Sequence, residues 1–344
     1  MTGGIAAKAK RAPVLVGKRV VEYRLLETGR LLNRCEAGSL MPFQWTINPY
    51  RGCEFGCGYC YARYTHEYME LDADAFARIV YIKQFRRDLF ERELRAVRPG
   101  EWIAIGTATD PYQPAERRFQ ITRTVLDVLA RQAGLRVAVT TKSDLVGRDL
   151  DVLVKLAARN RLRVNLTVTT LDARLARRLE PGAPRPDLRL RALARLAGSG
   201  IETGVFASPV LPGLNDGPGQ LEAVARAARA AGAEHFGAQM VFLRDPARRV
   251  FLDVLRREFP RLAGPYERMF ARATRAPEPL QRALQLRVER IREEMGFGGR
   301  RESAAPVWGQ LDLFAGDGPS AEGGHALVQL QSPVRTVAEA AFTG

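Results

Sequence analysis

The stretch NPYRGCEFGCGYCYARYTHEY, residues 48–68, holds three of the four cysteines of the chain. Cys53, Cys57 and Cys60 are spaced C-x3-C-x2-C, and the fourth cysteine, Cys35, lies well upstream. Four cysteines with three clustered do not resemble a disulfide framework and suit a reducing compartment better. We therefore expect a cytoplasmic protein whose three clustered thiols bind a metal.

Two kinds of metal site are compatible with these thiols. A structural zinc site closes four ligands around the ion, and either His66 or Cys35 would have to supply the fourth. Zinc motifs, however, usually come as two separated pairs, whereas this is a single triplet. Three thiolates on a [4Fe–4S] cluster would leave one iron without a protein ligand, and an open coordination position is what a catalytic site needs.

Composition indicates a protein with a full-sized core. The chain has 344 residues, 46% of them hydrophobic, which suffices for one large domain or two small ones. No run approaches the ~20 apolar residues of a membrane span, so we expect a soluble protein without membrane attachment. The basic N-terminus lacks the apolar centre and cleavage site of a secretory signal.

The charge of the chain is strongly positive. The formal net charge is +15, and residues 303–344 contribute −3 of it, so residues 1–302 carry +18. An excess of this size favours a polyanionic partner, and nucleic acid is the partner we expect. An Arg-rich composition with solvated side chains is the alternative explanation.

Buried strands alternate with amphipathic helices along the chain. Six stretches rich in Val, Ile and Thr predict strands, namely 43–50, 101–110, 135–144, 162–170, 201–210 and 235–243. Helical periodicity between them predicts helices within 121–134, 151–160, 186–200 and 217–232. Repeated βα units imply a parallel sheet with crossover helices. The fold class is therefore α/β, a partial (β/α)6 TIM-like barrel.

The same pattern divides the chain into four parts. We expect a basic N-terminal arm (1–40), the barrel (41–245), a C-terminal helical extension (246–302) and a disordered tail (303–344) in which Gly, Ala, Ser and Pro dominate.

The cysteine spacing and its place after the first strand resemble the radical S-adenosylmethionine (SAM) superfamily. The resemblance implies that Cys53, Cys57 and Cys60 hold a [4Fe–4S] cluster and that SAM chelates the fourth iron. One electron from the cluster then cleaves SAM, and the 5′-deoxyadenosyl radical that results abstracts hydrogen from the substrate. An electron donor such as flavodoxin or ferredoxin would supply the electron.

Further residues at strand ends complete the expected site, because the active site of such barrels lies there. By resemblance, Tyr59 packs near the SAM adenine and Lys142 pairs with the SAM carboxylate. Hydroxyl donors suited to SAM are Thr107, Thr109, Thr140, Thr167 and Thr169, although β-propensity alone also explains threonines in strands. The substrate candidates are Tyr61, Asp110, Glu116, Asn215 and Asp216.

Residues 40–260 resemble the spore photoproduct lyase-like branch, whose DNA repair member splits a thymine dimer. The phrases TATDPYQPAE, TTKSD and SPVLPGLND, with tyrosines on both sides of Cys60, carry this resemblance. The lyase uses a cysteine beyond the cluster motif as hydrogen donor, but this chain has none after Cys60. Cys35 would replace it only if the N-terminal arm folded over the barrel mouth. We therefore expect a relative with a different, unassigned reaction.

The tail contains a second motif, QLDLF, formed by Gln310, Leu311, Asp312, Leu313 and Phe314. It is similar to the motif by which bacterial DNA repair and replication proteins bind the sliding clamp. A flexible tail would present Gln310 as a polar anchor and Leu313 and Phe314 to an apolar pocket. The alternative is that these side chains cap the barrel. We expect a radical SAM enzyme that acts on DNA, in repair or nucleotide modification. The alternative is one that acts on RNA, a protein or a small molecule, with an incidental basic surface, and a non-enzymatic iron–sulfur binding module is a third hypothesis.

Overall fold

The computed structural model describes residues 4–17, 21–35 and 42–298. Its strands are β1 (Val14–Gly17), β2 (Glu22–Glu27), β3 (Leu32–Arg34), β4 (Trp45–Ile47), β5 (Tyr50–Arg51), β6 (Ile79–Gln84), β7 (Trp102–Ile105), β8 (Arg136–Thr141), β9 (Arg161–Thr167), β10 (Glu202–Phe206) and β11 (His235–Gly237).

The helices lie mostly between these strands. They are α1 (Ile5–Arg11), α2 (Tyr64–Glu67), α3 (Arg87–Leu94), α4 (Ala115–Phe119), α5 (Ile121–Ala130), α6 (Leu150–Arg159), α7 (Ala173–Leu179), α8 (Pro186–Gly198), α9 (Gln220–Ala230), α10 (Ala247–Glu258), α11 (Pro260–Met269) and α12 (Glu278–Glu294). Short 3₁₀ turns occur at Tyr61–Arg63, Ala73–Ala77 and Asp144–Asp149. Within the described ranges, none of these helices is long and apolar enough to cross a membrane.

Seven strands form the main sheet in the order β11-β10-β9-β8-β7-β4-β3. Strands β4, β7, β8, β9, β10 and β11 run parallel, and β3 lies at the edge, antiparallel to β4. Strands β3 and β11 are the two edges, so the sheet is an open barrel. The predicted α/β fold with six parallel strands is therefore confirmed, and β3 is a seventh strand that the pattern did not predict.

Alternation along each strand separates the outer core from the barrel interior. Ile103, Val137 and Val164 point outwards and join one large cluster with helix residues such as Leu129 and Leu156. Trp102, Ala104, Ala138 and Phe206 point inwards and form a separate small cluster with Phe43. The helices thus cover the outer face of the sheet, and the inner face remains available for a site.

The segment expected as an N-terminal arm contributes to both sheets. Strand β2 pairs parallel with β6 in a second, four-stranded sheet of order β1-β2-β6-β5. Strand β3 lies at the edge of the main sheet. Part of residues 1–40 is therefore integral to the fold.

The expected C-terminal helices pack against the cysteine-bearing loop. Phe251 and Leu255 of α10 and Tyr266 of α11 share a buried cluster with Cys53 and Cys57. A Cβ atom added to Gly58 would lie 2.9 Å from Val254 Cγ2, which shows how closely α10 approaches the loop. Helix α12 joins the outer core instead, through Leu284, Val288 and Ile291. The tail that carries QLDLF lies outside the described residues.

Candidate functional site

The three clustered cysteines line one cavity at the carboxyl ends of the parallel strands. Its wall includes residues 106–110 after β7, residues 140–142 at the end of β8, and Thr167 at the end of β9. The cavity holds about 970 Å³ of atom-free space, part of it open to solvent. We call it the cysteine cavity. Its position is the one at which α/β barrels place their active sites.

Residues 52–60, the cysteine loop, are held in place by neighbouring loops. Gly58 N donates to Leu179 O at 3.1 Å, and Gly182 N donates to Phe55 O at 3.0 Å. A Cβ atom on Gly182 would lie 2.3 Å from Glu54 O, so this close backbone contact requires glycine. The loop is therefore fixed from the α7–α8 connection.

Gln113 fixes the loop from the opposite side. It is completely buried, and its Oε1 accepts a hydrogen bond from Glu54 N at 2.9 Å. Its Nε2 donates to Gly52 O at 3.0 Å. Thr109 Oγ1 donates to the same Gly52 oxygen at 2.6 Å. Thr109 thus lines the cavity while its hydroxyl is committed to the loop.

The thiols have properties that suit metal ligands. Burial raises the pKa of Cys53 and of Cys60, and it raises the pKa of Cys57 to about 12. The nearby Lys142 ammonium acts in the opposite direction on Cys57 and Cys60. Metal ligation requires thiolates, and burial disfavours this charged form. A bound metal centre and the Lys142 ammonium would together supply the positive charge that stabilises the buried thiolates.

The zinc alternative finds no support in the surroundings of His66. Its Nε2 lies 2.9 Å from Ile79 O, and its ring packs edge-on against Phe76 and Tyr81. His66 does not line the cysteine cavity. Among the residues the structure describes, no three His, Cys, Asp or Glu side chains are arranged to hold a single ion. Three thiols spread around one cavity fit a cluster, in which each thiolate binds its own iron.

Lys142 and Asp110 are the charged groups of the cavity wall. Burial lowers the pKa of Lys142, but Cys57 and Glu180 raise it, and the net shift is upwards. Lys142 Nζ also lies 5.8 Å from the centre of the Tyr59 ring. Lys142 therefore stays protonated inside a partly buried site, as a carboxylate-binding residue must.

Asp110 is held by several donors. Thr141 Oγ1 and Tyr112 N donate to its Oδ1 at 2.6 and 2.9 Å, and Lys142 N donates to Oδ2 at 2.7 Å. Burial nevertheless raises the pKa of this carboxyl group, and these hydrogen bonds offset only part of the effect. Asp110 thus links the ends of β7 and β8 at the cavity wall.

Four further predicted residues line the cavity. Thr107 accepts a hydrogen bond from Asn48 Nδ2 at 3.0 Å, and Thr140 and Thr167 lie at adjacent strand ends. The Tyr61 hydroxyl donates to Thr107 O, and its ring lines the cavity.

Five predicted site residues do not line the cavity: Tyr59, Glu116, Thr169, Asn215 and Asp216. Glu116 is completely buried and accepts from Tyr50 Oη, from Thr122 N at 2.9 Å, and from Arg148 Nη2 at 2.7 Å. Its carboxylate therefore joins β5 to the α4–α5 region.

Asn215 and Asp216 hold the loop that follows β10. Asn215 Nδ2 donates to Thr169 O at 2.8 Å, and its Oδ1 accepts from Leu211 N at 2.6 Å. Asp216 Oδ1 accepts from Gly213 N at 2.7 Å. These contacts are with protein backbone, so both side chains act first on loop geometry.

Tyr59 and Thr169 belong to a buried network behind the cavity that the sequence analysis missed. The Tyr59 and Thr169 hydroxyl groups both donate to Glu180 Oε1, and the distance from Thr169 Oγ1 is 3.0 Å. Glu180 pairs with Arg189, whose Nη2 lies 2.5 Å from Glu180 Oε2. Arg189 Nη1 also donates to Thr167 O at 3.0 Å. The network thus fixes the end of β9 and the tyrosine ring on which Lys142 rests.

Cys35 lies on the inner side of the barrel, not with the other thiols. It follows β3, donates its N–H to Gln44 O at 2.8 Å, and packs against the inner cluster of Phe43 and Phe206. Burial raises the pKa of its thiol to about 11. Cys35 does not line the cavity, although Phe43 and Phe206 do.

The two phenylalanines form an apolar wall that the sequence analysis also missed. Phe206 is the last residue of β10 and points inwards because it alternates with the outward Val205. An inward aromatic residue at the carboxyl end of a parallel strand was the signal that would have identified it. Among the residues that the structure describes, the cavity therefore combines an apolar wall with thiols, one cation and one carboxylate.

Comparisons with known proteins agree with this geometry. The family model described as "Radical SAM superfamily" matches residues 47–228. An uncharacterized protein of Mycobacterium tuberculosis is 32% identical over 279 residues, 80% of this chain and 81% of that protein. An uncharacterized protein of Methanocaldococcus jannaschii is 32% identical over 173 residues, 50% of this chain and 62% of that protein.

Among solved structures, a mutant form of spore photoproduct lyase matches with a TM-score of 0.58 and 16% identity, covering 79% of both chains. The lyase complexed with dinucleoside spore photoproduct matches with a TM-score of 0.57 and 15% identity, also over 79% of both. At this identity the similarity concerns the fold. The family match covers more than half of the chain, from the end of β4 through the cysteine loop to α9. The chain therefore belongs to the radical SAM superfamily, as an enzyme of that class with a fold like that of spore photoproduct lyase.

Proposed function

We propose that Cys53, Cys57 and Cys60 hold a [4Fe–4S] cluster with SAM on its fourth iron, and that the enzyme acts on DNA. The observation that carries the proposal is the cysteine cavity itself, which the three thiols line together with Lys142 and Asp110. When bound, the cluster and SAM would supply a 5′-deoxyadenosyl radical for hydrogen abstraction.

The side chains of the cavity have distinct roles in this proposal. Lys142 would bind the SAM carboxylate, since a cation that remains charged in a partly buried site gives a charge-assisted contact. Thr107, Thr140 and Thr167 would offer hydroxyl groups to the polar atoms of SAM. Tyr59 does not line the cavity and would act through Lys142, whose ammonium makes a cation–π contact with the tyrosine ring.

Phe43 and Phe206 suit the apolar part of a nucleobase. Both line the cavity and belong to the inner cluster, and aromatic or apolar surfaces are what extruded bases stack against. Cys35 packs against the same cluster and does not line the cavity. The Cys35 thiol could therefore exchange a hydrogen atom with the site only if the wall of Phe43 and Phe206 rearranged.

DNA as substrate has two further supports. The net charge of +15 favours a polyanion, and the structurally similar lyase has been solved in complex with a dinucleoside photoproduct. We also propose that the QLDLF motif at 310–314 binds a bacterial sliding clamp, and that a flavodoxin or ferredoxin reduces the cluster.

The test of the DNA proposal is binding of a fluorescent DNA duplex by the full-length protein at increasing salt. Because cationic side chains release counterions from DNA, we expect the logarithm of the affinity to fall linearly with the logarithm of the salt concentration. Absence of binding at low ionic strength, or an affinity that salt does not change, would contradict DNA as the substrate. It would favour RNA, a protein or a small molecule.

A further inference from the structure

Two cationic side chains lie side by side on the four-stranded sheet, next to the cysteine loop. Arg51 is directly opposite Tyr81 in the antiparallel β5–β6 pair. Lys83 lies two residues beyond Tyr81 on β6 and therefore shares its face of the sheet. The register makes Arg51 and Lys83 diagonal neighbours, about 7–8 Å apart in such a ladder. Lys83 is only 7% exposed, and Arg51 is half-buried.

Neither cation has an acidic partner within the described part of the chain. Arg51 makes one side-chain hydrogen bond, from Nη1 to Thr65 O at 3.4 Å, and Lys83 Nζ makes neither a hydrogen bond nor an ion pair there. Burial and the neighbouring Arg51 charge lower the pKa of Lys83 to about 7. Buried like charges without a counter-charge destabilise a fold. These features are typical of an anion-binding site, in which a bound ligand supplies the missing negative charge.

A row of tyrosines connects this pair with the cysteine cavity. Tyr61, Tyr64 and Tyr68 follow the helical spacing i, i+3, i+7 and so lie along one side of their short helical segment. Tyr61 lines the cavity, Tyr64 is half-buried, and Tyr68 is 58% exposed. The Tyr64 and Tyr68 rings meet edge-on with centroids 5.5 Å apart.

Arg51 lies beside the middle of this row. Its Nη1 lies 3.4 Å from Thr65 O, the carbonyl oxygen of the residue that follows Tyr64. Tyr64 begins α2 directly after the 3₁₀ turn that Tyr61 opens, so the two tyrosines are one helical turn apart. Cationic side chains beside an exposed aromatic platform are the combination that binds single-stranded nucleic acid, because phosphates take the charges and bases take the rings. A free phosphate would use the cations but would leave the tyrosines without a role.

We propose that Arg51 and Lys83 bind a backbone phosphate of the nucleic-acid substrate and that Tyr68, supported by Tyr64, stacks on a base of the same strand. The strand that flanks the reacting nucleotide is thereby held where it leaves the cysteine cavity. This inference rests on the proposed function, since it assumes a nucleic-acid substrate. Arginine gives directional contacts to phosphate and lysine a point charge, so the two residues complement each other.

The experiment measures binding of a fluorescent single-stranded oligonucleotide to the full-length protein across a salt series. Lys83→Met and Arg51→Gln are each expected to lower the slope of log affinity against log salt by about 1, as loss of one phosphate contact requires. Lys155→Met on α6 and Arg226→Gln on α9 remove the same charges from exposed positions and are expected to leave the slope unchanged. Tyr68→Ala is expected to weaken binding about tenfold, and Tyr68→Phe to retain it.

Thermal unfolding without ligand provides an independent readout of the same variants. Lys83→Met is expected to raise the melting temperature, because it removes a buried charge that has no partner. A merely structural lysine would give the opposite sign. Inorganic phosphate is expected to raise the melting temperature of the wild type more than that of Lys83→Met.

The outcomes separate the site from the function on which it rests. Equal slopes for Lys83→Met and Lys155→Met, with normal binding by the wild type, would overturn the site and leave the DNA proposal standing. If phosphate still stabilised only the wild type in that case, the pair would be a site for free phosphate. Failure of the wild type to bind any oligonucleotide at low salt would overturn the proposed DNA substrate itself.

Discussion

At the scale of the residue, Cys57 is the most informative thiol. It lines the cysteine cavity, and burial raises its pKa to about 12. We predict that Cys57→Ala loses both the iron–sulfur cluster and SAM cleavage, because only two of the three thiolate ligands of the cluster would remain. Iron and sulfide content after anaerobic reconstitution, together with 5′-deoxyadenosine formation, measures the effect.

Cys35→Ala is the matched control for that variant. Cys35 packs on the inner cluster and does not line the cavity, so iron content is expected to equal that of the wild type. A full cluster in Cys57→Ala, or its loss in Cys35→Ala, would mean that the ligand set has been assigned to the wrong thiols.

Lys142 provides a prediction about SAM binding. Lys142→Met keeps much of the side-chain volume but removes the charge that would meet the SAM carboxylate. A charge-assisted contact contributes about 1.5–3 kcal/mol, so affinity for SAM should fall roughly ten- to a hundredfold. Equilibrium binding of SAM to reconstituted protein measures this, with iron content as the control. Unchanged affinity would show that Lys142 serves only the Tyr59–Glu180 network.

The place of a residue in the cavity was predictable from the sequence where its position along a strand decides it. Thr107, Thr140 and Lys142 follow strand residues at carboxyl ends, and the structure brings them to one cavity. Glu116 and Asn215 have the same polar character, but their partners lie elsewhere in the chain: Glu116 binds Arg148, and Asn215 binds the Thr169 carbonyl. A single sequence contains no signal for such distant partners, so cavity residues and loop-holding residues looked alike.

At the scale of the element, the amino-terminal end of the barrel is joined by a charged network across β9, β10 and β11. Glu202 of β10 pairs with Arg163 of β9 and with His235 of β11, whose Nε2 lies 2.7 Å from Glu202 Oε1. Arg161 and Arg163 also flank the Trp102 ring, at 5.4 and 5.7 Å from its centre. The network links three adjacent strands on the inner side of the sheet.

This network predicts a pH dependence of stability. Burial raises the pKa of Glu202, but His235, Arg163 and Arg161 together lower it to about 2. Because the folded pKa is depressed, the ionised carboxylate stabilises the fold at neutral pH, and this contribution is lost as the pH falls from about 4.5 towards about 2. The stability difference between wild type and Glu202→Gln, measured by thermal unfolding, should shrink over that interval. A difference that does not vary with pH would contradict this account.

The elements themselves were largely predictable, because Val- and Ile-rich runs alternate with helical periodicity. The β2 and β3 strands were not. Strand β3 is short and lies antiparallel at a sheet edge, and β2 belongs to the smaller sheet and buries only Tyr23 and Leu26. The arginines inside β9 were equally unpredictable. RLRVNLT shows only that alternate positions are polar, whereas their partner Glu202 lies one βα unit later in the chain.

At the scale of the whole molecule, the tail is expected to recruit a partner independently of the barrel. We predict that a peptide covering residues 304–318 binds a bacterial sliding clamp with about micromolar affinity, close to −8 kcal/mol, because a short flexible segment loses entropy on binding. Calorimetry on the peptide measures this. Leu313→Ala combined with Phe314→Ala should abolish most of the binding, since apolar anchors dominate small interfaces.

The same double variant in the full-length protein should retain SAM cleavage. A peptide that does not bind, together with an inactive or destabilised double variant, would indicate that the segment packs on the barrel. The DNA proposal would then depend on charge and on the similarity to the lyase alone.

Anaerobic incubation of the reconstituted, reduced protein with SAM and deuterated DNA shows directly whether the enzyme abstracts hydrogen from DNA. Mass spectrometry of the 5′-deoxyadenosine product reads the result. We predict 5′-deoxyadenosine that carries deuterium from DNA, with none formed by Cys57→Ala. Product without deuterium would contradict DNA as the hydrogen source, and absence of 5′-deoxyadenosine from protein with a full complement of iron would contradict SAM cleavage at the three cysteines.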